Sequence, residues 1–213
     1  MIISPEKKTT LDGSHTLVHP TLGELYHSDK GAVGEAMHVY IKHGLQYSQK
    51  EEINILEMGF GSGLNAFLTL KNAPNTTINY YAIELYPINL DTARGLNYSH
   101  DSEFMALHHA PWGESCEINK NFTLTKWEQD LLEIEFFIKF DLVYFDAFAP
   151  DAQPKLWSCK VFKKIADAMN TGAILVTYSS KGIVKQALRD AGFKVQRLEG
   201  ALGKHHMLRA IKL

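Results

Sequence analysis

Cysteine is scarce in this sequence: Cys116 and Cys159 are the only two in 213 residues, far apart and without metal-type spacing. Free thiols are expected, not a disulfide framework. No apolar run approaches the roughly 20 residues that span a bilayer. The N-terminus, MIISPEKKTT, has no apolar stretch of a secretion signal. A cytoplasmic chain with no membrane partner is expected. There is no HExxH, and the pairs His108-His109 and His205-His206 lack helical ligand spacing with a third donor, so no metal is expected. Ser179-Ser180 lacks the Gly-x-Ser-x-Gly elbow of acyl hydrolases. Internal repeats and low-complexity tracts are missing too.

A strong excess of either charge is also missing: 22 Lys and Arg stand against 24 Asp and Glu, a net charge of −2. The distribution is uneven, however. From Lys181 to Leu213 eight basic residues face only Asp190 and Glu199, a local balance of +6, which leaves −8 for the other 180 residues. That asymmetry fits either a polyanionic partner or a solvated basic helix face. What is present in quantity is ordinary globular material, 45% hydrophobic and 22% charged. The length allows one structural domain, with an N-terminal segment and helix over residues 1–50 packed on a core of residues 51–213.

Residues 1 to about 30 are polar and turn-rich. A helical pattern begins near Val33, runs through Met37, Val39, Tyr40 and Ile41, and is expected to stop at Gly44. Short apolar runs follow at 53–58, 78–83, 122–126, 140–145 and 173–177, with helices expected at 64–71 and 181–191. Apolar strands separated by helix-length segments predict a mainly parallel sheet covered on both faces. The last two runs, 194–198 and 206–211, lie too close together for a crossover helix. They predict an antiparallel hairpin at one edge.

The strongest motif is Glu57-Met-Gly59-Phe60-Gly61-Ser-Gly63 between a strand and a helix. Such glycines let the chain turn tightly and let a ligand lie against main chain, near the free N–H groups of a helix start. A dinucleotide fingerprint places its third glycine at 64, where this chain has Leu64. The E-x-G-x-G-x-G form instead resembles the first motif of the class I S-adenosylmethionine methyltransferases. Glu84 ends the second strand, where a carboxylate can accept hydrogen bonds from both ribose hydroxyls of an adenosine. Asp130 follows the third strand and is a candidate for the adenine amino group, with Glu128 competing and Trp127 or Leu131 as an apolar wall. Asp146-Ala-Phe148-Ala-Pro150 follows the fourth strand, at the carboxyl edge where open α/β sheets bind ligands. It resembles the Asp/Asn-Pro-Pro-aromatic loop of amino-group methyltransferases.

Taken together, four segments are similar to the MnmC/MnmD-type tRNA methyltransferases: the loop from Glu57 through Asn65, the run from Phe145 to Trp157, Thr177-Tyr-Ser-Ser180 with Gly182 and Val184, and Leu202-Gly-Lys204-His-His-Met-Leu208. Asp12-Gly-Ser-His-Thr, Tyr26-His27-Ser28 and Gly34-Glu35 through His38-Val39 resemble the family's N-terminal segment. Ala147 stands where many members have glycine, and Ala201-Leu202 interrupts the glycine-rich hairpin. The resemblance implies a Rossmann-like α/β fold with a mainly parallel seven-stranded sheet and a C-terminal antiparallel hairpin. It implies S-adenosyl-L-methionine as cofactor, held by Glu57, Gly59, Phe60, Gly61, Gly63, Asn65, Glu84, Asp130 and Asp146. The implied reaction is N-methylation of 5-aminomethyl-(2-thio)uridine at the tRNA wobble position. Many members carry a flavin-dependent oxidase domain after the methyltransferase; with the sequence ending at Leu213, no flavin is expected in this chain.

For that chemistry, Asp146, Phe148 and Pro150 are the expected catalytic residues. Asp146 and the carbonyls of Phe148 and Ala149 are expected to orient the amine, with Phe148 stacking on uracil. Orientation is favoured over proton abstraction because an ordinary carboxylate is a poor base for an alkylammonium. Lys181, Lys185, Lys204 and Arg209 are the expected contacts to RNA phosphate. The alternatives are a small-molecule amine methyltransferase or aminopropyltransferase of the same fold, a dinucleotide oxidoreductase, and a non-catalytic RNA-binding module.

Overall fold

A computed structural model describes residues 4–99 and 101–213. The first three residues of the expected N-terminal unit therefore lie outside the described residues. The chain opens with a small hairpin, β1 (Glu6–Thr9) and β2 (His15–Val18). One continuous helical stretch follows: α1 (Ala32–Ala36), a π-helical run Met37–Leu45, and α2 (Gln46–Ser48). Gly44 does not end it. Gly44 sits inside the stretch because the helix presses there on the sheet; a Cβ would lie 3.1 Å from both Tyr144 and Val176. The end comes at Gln49, in the left-handed region with φ 51°.

The core then alternates. β3 (Glu52–Met58) leads to α3 (Leu64–Asn72), β4 (Thr77–Glu84), α4 (Leu90–Arg94) and α5 (Ser102–His109). β5 (Ser115–Asn119) and β6 (Phe122–Glu128) come next, then β7 (Phe140–Phe145), α6 (Cys159–Asp167), β8 (Met169–Thr177) and α7 (Gly182–Asp190). β9 (Phe193–Glu199) and β10 (His206–Lys212) finish the chain. The main sheet has the order β5-β6-β4-β3-β7-β8-β10-β9. The five strands from β6 to β8 pair in parallel, while β5 and the β9–β10 hairpin add antiparallel edges. The sheet thus carries eight strands where the run-by-run reading gives seven. The addition is β5, a short edge strand whose apolar face is only Cys116 and Ile118, both half-buried against the core.

β7 is buried along its whole length, as a central strand covered by helices on both faces must be. Its one acid, Asp141, is satisfied rather than orphaned: Lys50 pairs with it at 2.5 Å, and the Asn54 N–H and Asn170 amide donate to it at 3.1 and 2.8 Å. The residues of the N-terminal helix pack into the same apolar cluster as β3, β4 and β7, with Tyr40 lying 5.2 Å from Tyr144. β3 is the pivot of this arrangement. The chain leaves it to build β4 and β6 on one side, then returns to place β7 on the other. The strand order reverses there, so a crevice opens beyond the carboxyl ends of β3 and β7.

Candidate active site

The loop after β3 and the loop after β7 meet in that crevice. Gly59 has φ +88°, and a Cβ on it would lie 3.0 Å from the Asp146 carbonyl oxygen. The Asp146 N–H donates to the Met58 carbonyl at 3.1 Å. Asn65, in the first turn of α3, donates its amide to Asp146 Oδ2 at 2.8 Å. A cavity of about 400 Å³ opens at the junction, walled by Gly59, Gly61, Glu84, Asp130, Asp146 and Phe148 among others.

Each carboxylate on this wall has its own environment. Glu84 closes the glycine loop from the end of β4: its two oxygens accept N–H groups of Gly61 and Tyr86, each at 2.9 Å. Burial raises its pKa, against the pull of those bonds. Asp130 accepts the Leu132 N–H at 2.8 Å and lines the cavity beside Leu131 and Leu132. Glu128 is exposed and Trp127 stacks on Tyr81; of the two candidates for the apolar wall, Leu131 lines the cavity. Asp146 is partly exposed to the cavity, and burial pushes its pKa up to about 7. Tyr40, Asn65 and Lys204 pull it back down, while Glu35 adds to the rise. A carboxyl shifted upward in this way is a stronger base than an ordinary one.

Several expectations need correction. Glu57 is fully buried and does not line the cavity. Neither of its carboxylate oxygens has a hydrogen-bond partner, and burial, reinforced by Asp146, holds its pKa well above the ordinary range. It lies behind Asn65 and Asp146. Pro150 is buried in its loop and likewise does not reach the cavity. The carbonyls assigned to the amine already accept bonds within the protein: Phe148 accepts the Trp157 indole N–H at 2.8 Å, which leaves it one lone pair, and Ala149 accepts N–H groups of Ala152 and Gln153 at 2.8 and 2.9 Å. Ala147 accepts the Tyr178 hydroxyl at 2.9 Å.

The basic residues are also repositioned. Arg209 is buried on β10, its guanidinium 3.5 Å from the Tyr47 ring centroid and bonded to Gln196 at 3.0 Å. Lys204 turns inward to an ion pair with buried Glu35, and Lys181 pairs with Asp151. Lys185, partly exposed on α7, has no ion pair among the described residues.

The roof of the cavity is the segment between β2 and α1, which spacing and periodicity did not mark as part of the site. Tyr26 and His19 each meet Phe148 edge-to-face at 5.1 Å, and His27 lies beneath them, its pKa held at about 4 by burial. Under the glycine loop, Lys126 is buried with its ammonium bonded to the carbonyls of Leu107 and His108 at 2.9 and 3.0 Å. It lies 5.1 Å from the Phe60 ring centroid, so a strand lysine props the glycine loop from below. Burial lowers its pKa to about 8.

Comparison with known proteins agrees with this geometry. A family model described as S-adenosyl-L-methionine-dependent methyltransferase matches residues 112–213. The tRNA 5-methylaminomethyl-2-thiouridine biosynthesis bifunctional protein MnmC of Burkholderia multivorans is 32% identical, over 91% of this chain and 33% of that protein. The chain therefore spans about a third of the length of the curated relatives it matches. The crystal structure of MNMC2 from Aquifex aeolicus superposes with a TM-score of 0.78 at 28% identity, covering 99% of this chain and 71% of that one. Spermidine synthase from Thermotoga maritima shares the fold, with a TM-score of 0.55 at 11% identity over 99% of this chain and 72% of its own. The sheet, its hairpin edge and these likenesses define a class I S-adenosylmethionine methyltransferase fold. The chain is thus similar to the MnmC proteins over nearly its whole length, and its residues 112–213 match a family of S-adenosyl-L-methionine-dependent methyltransferases.

Proposed function

We propose that this protein methylates the primary amine of 5-aminomethyl-(2-thio)uridine at the wobble position of tRNA, giving 5-methylaminomethyl-(2-thio)uridine. The observation that carries the reading is Asp146. It is a carboxylate at the carboxyl edge of the sheet, facing a cavity beside the glycine loop, with its pKa matched to neutral pH. The modification named for the Burkholderia proteins supports the choice of nucleoside.

The cavity suits S-adenosyl-L-methionine on this chain's own terms. Its volume, about 400 Å³, is that of a nucleoside-sized ligand site. Its acidic wall of Glu84, Asp130 and Asp146 is complementary to a cation. Glu84 would hold the ribose, Asp130 the adenine amino group, and the main chain of 59–63 the remainder. The cofactor supplies a methyl carbon on positively charged sulfur.

The residues then have distinct work. Asp146 binds the substrate ammonium through a charge-assisted hydrogen bond and can take one of its protons, freeing the nitrogen lone pair. Asn65 fixes the carboxylate so that it does not rotate away. Tyr26, His19 and Phe148 cover the opening and exclude water, which strengthens the Asp146–amine interaction. Alignment of amine and methyl is the larger contribution, since near-attack positioning is worth roughly 7–11 kcal/mol against a bimolecular reference.

The test is nucleoside mass spectrometry of tRNA bearing 5-aminomethyl-uridine after incubation with the protein and isotopically labelled cofactor. The expected result is loss of that nucleoside and gain of one heavier by a single labelled methyl. Transfer only to polyamines or free amines, with tRNA untouched, would move the reading to the small-molecule alternative.

A further inference from the structure

Lys204, expected from the sequence to meet RNA phosphate, points the other way. Its ammonium pairs with Glu35, a buried residue of α1, and sits 5.3 Å from the centroid of the Tyr178 ring. Both neighbours lead to the cavity. The other oxygen of Glu35 accepts the Ser28 N–H at 2.9 Å, at the end of the segment that carries His19, Tyr26 and His27. The Tyr178 hydroxyl donates to the Ala147 carbonyl at 2.9 Å, between Asp146 and Phe148. Leu202, two residues before Lys204, packs over Gly34, where a Cβ would meet it at 3.2 Å. The His38 imidazole bonds the Glu199 carbonyl at 2.9 Å from the same helical stretch. The C-terminal hairpin loop is therefore fastened to the start of the N-terminal helix, with the ion pair at the centre of the fastening.

We propose that the Glu35–Lys204 pair positions the transfer site, holding its roof and its Asp146–Phe148 wall to one point. Lys204 is a positioning residue that never touches RNA. The physical reasoning is that the roof and the Asp146–Phe148 wall come from segments more than 100 residues apart and meet through aromatic contacts. An aromatic contact between Phe148 and Tyr26 fixes distance loosely, whereas a charge pair tied to a backbone N–H and a ring face fixes orientation. Asp146 also feels both partners, since Glu35 raises its pKa and Lys204 lowers it. The pair is thus electrically and mechanically coupled to the group that handles the amine.

The proposal rests on the amine-methylation reading only for its kinetic readout, so the experiment has two independent measurements. The first compares wild-type protein with Lys204→Met and Lys204→Arg in methyl transfer to tRNA. Lys204→Met is expected to lower kcat by roughly tenfold to a hundredfold, as small misplacements in a transfer site do. KM for tRNA and its salt dependence stay within about twofold, and Lys204→Arg recovers most of kcat. The second measurement needs no substrate. The Trp157 indole N–H, bonded to the Phe148 carbonyl, gives one resonance in a ¹⁵N–¹H spectrum, and it is expected to shift in Lys204→Met and in Glu35→Gln. Should Lys204→Met instead raise KM, flatten the salt dependence and leave both kcat and the Trp157 signal unchanged, Lys204 is a phosphate contact and the proposal is wrong. If the wild-type protein methylates no tRNA, the substrate reading fails, and the Trp157 signal still decides the matter: unmoved, it overturns the positioning role.

Discussion

If Asp146 handles the substrate's proton, the pH dependence of methyl transfer must show a break that the carboxylate owns. With its pKa at about 7, Asp146 is ionised in about one molecule in a hundred at pH 5 and in about nine in ten at pH 8. An alkylammonium titrates near 10.4, like lysine. Raising the carboxyl from 3.8 to about 7 narrows the gap between acid and base by about 3 units, or about 4 kcal/mol of proton-transfer cost. The groups around Asp146 are Tyr40 and Glu35 from the N-terminal helix, Asn65 from α3, Glu57 from β3, Tyr178 after β8, and Lys204 from the hairpin loop. Among them only Lys204 carries positive charge, and the positive charge of a bound cofactor acts on Asp146 in the same, lowering direction. In the wild-type protein, kcat/KM for tRNA is expected to rise about tenfold per pH unit from pH 5 to near 7, then to level off. In Asp146→Asn only amine already free in solution reacts, so a much lower rate rises without a break through pH 9. Initial rates with labelled cofactor across pH 5–9 decide it. A wild-type profile that climbs unbroken to pH 9, or a break surviving in Asp146→Asn, would refute the assignment of proton handling to Asp146.

Two further outcomes follow from the support beneath the site. Gly63→Ala places a Cβ 2.9 Å from His108 Nε2 at φ +73°, so urea unfolding is expected to show a loss of about 2 kcal/mol from left-handed backbone and crowding; an unchanged midpoint contradicts the packing described. His108, buried, has its pKa held near 4 against the ordinary 6.5. A depressed folded pKa gives stability that is present above pH 6.5 and drains as pH falls toward 4. His108→Gln is therefore expected to lose less stability than wild type between pH 7 and pH 5, and equal losses in parallel urea titrations argue against it. The raised carboxyl groups Asp146 and Glu84 act with the opposite sign over the same range, so the comparison is between variants and not between absolute slopes.

How much of this was legible in the sequence depended on how far each signal travels along the chain. β7 reads directly because six consecutive residues are buried and apolar or aromatic apart from Asp141. The glycine loop reads because strand, turn and helix are contiguous in it. The β1–β2 hairpin does not read: all four residues of β1 are exposed, and their register is set by backbone bonds alone. β5 is hidden because its apolar alternation spans only Cys116 and Ile118. Lys126 was invisible as a core residue because a lysine in an alternating strand is expected in water. Its partners, the carbonyls closing α5, are 18 and 19 residues away. Lys204 and Arg209 counted correctly toward local charge, but charge in sequence carries no direction. One turns toward Glu35 and the other toward Tyr47, across separations of 169 and 162 positions that no local pattern reports.

The occupied carbonyls of the Asp146–Pro150 loop sharpen what the site can select. Had the carbonyls of 147–149 faced the cavity with free lone pairs, any N–H-rich ligand would find several acceptors, and orientation would be loose. Instead Tyr178, Trp157, Ala152 and Gln153 supply donors to them, which makes the loop stiff and leaves the Asp146 carboxylate as its charged acceptor. One acceptor anchored by Asn65 holds an amine by one N–H and leaves the nitrogen free to rotate about that bond until its lone pair meets the methyl. Rigidity in the loop and freedom at the nitrogen are then two consequences of the same hydrogen-bond allocation. The substitution that most directly separates them is Trp157→Phe. It removes the donor to the Phe148 carbonyl while keeping an aromatic ring against Phe145, so it should loosen the loop and cost kcat without touching the carboxylate.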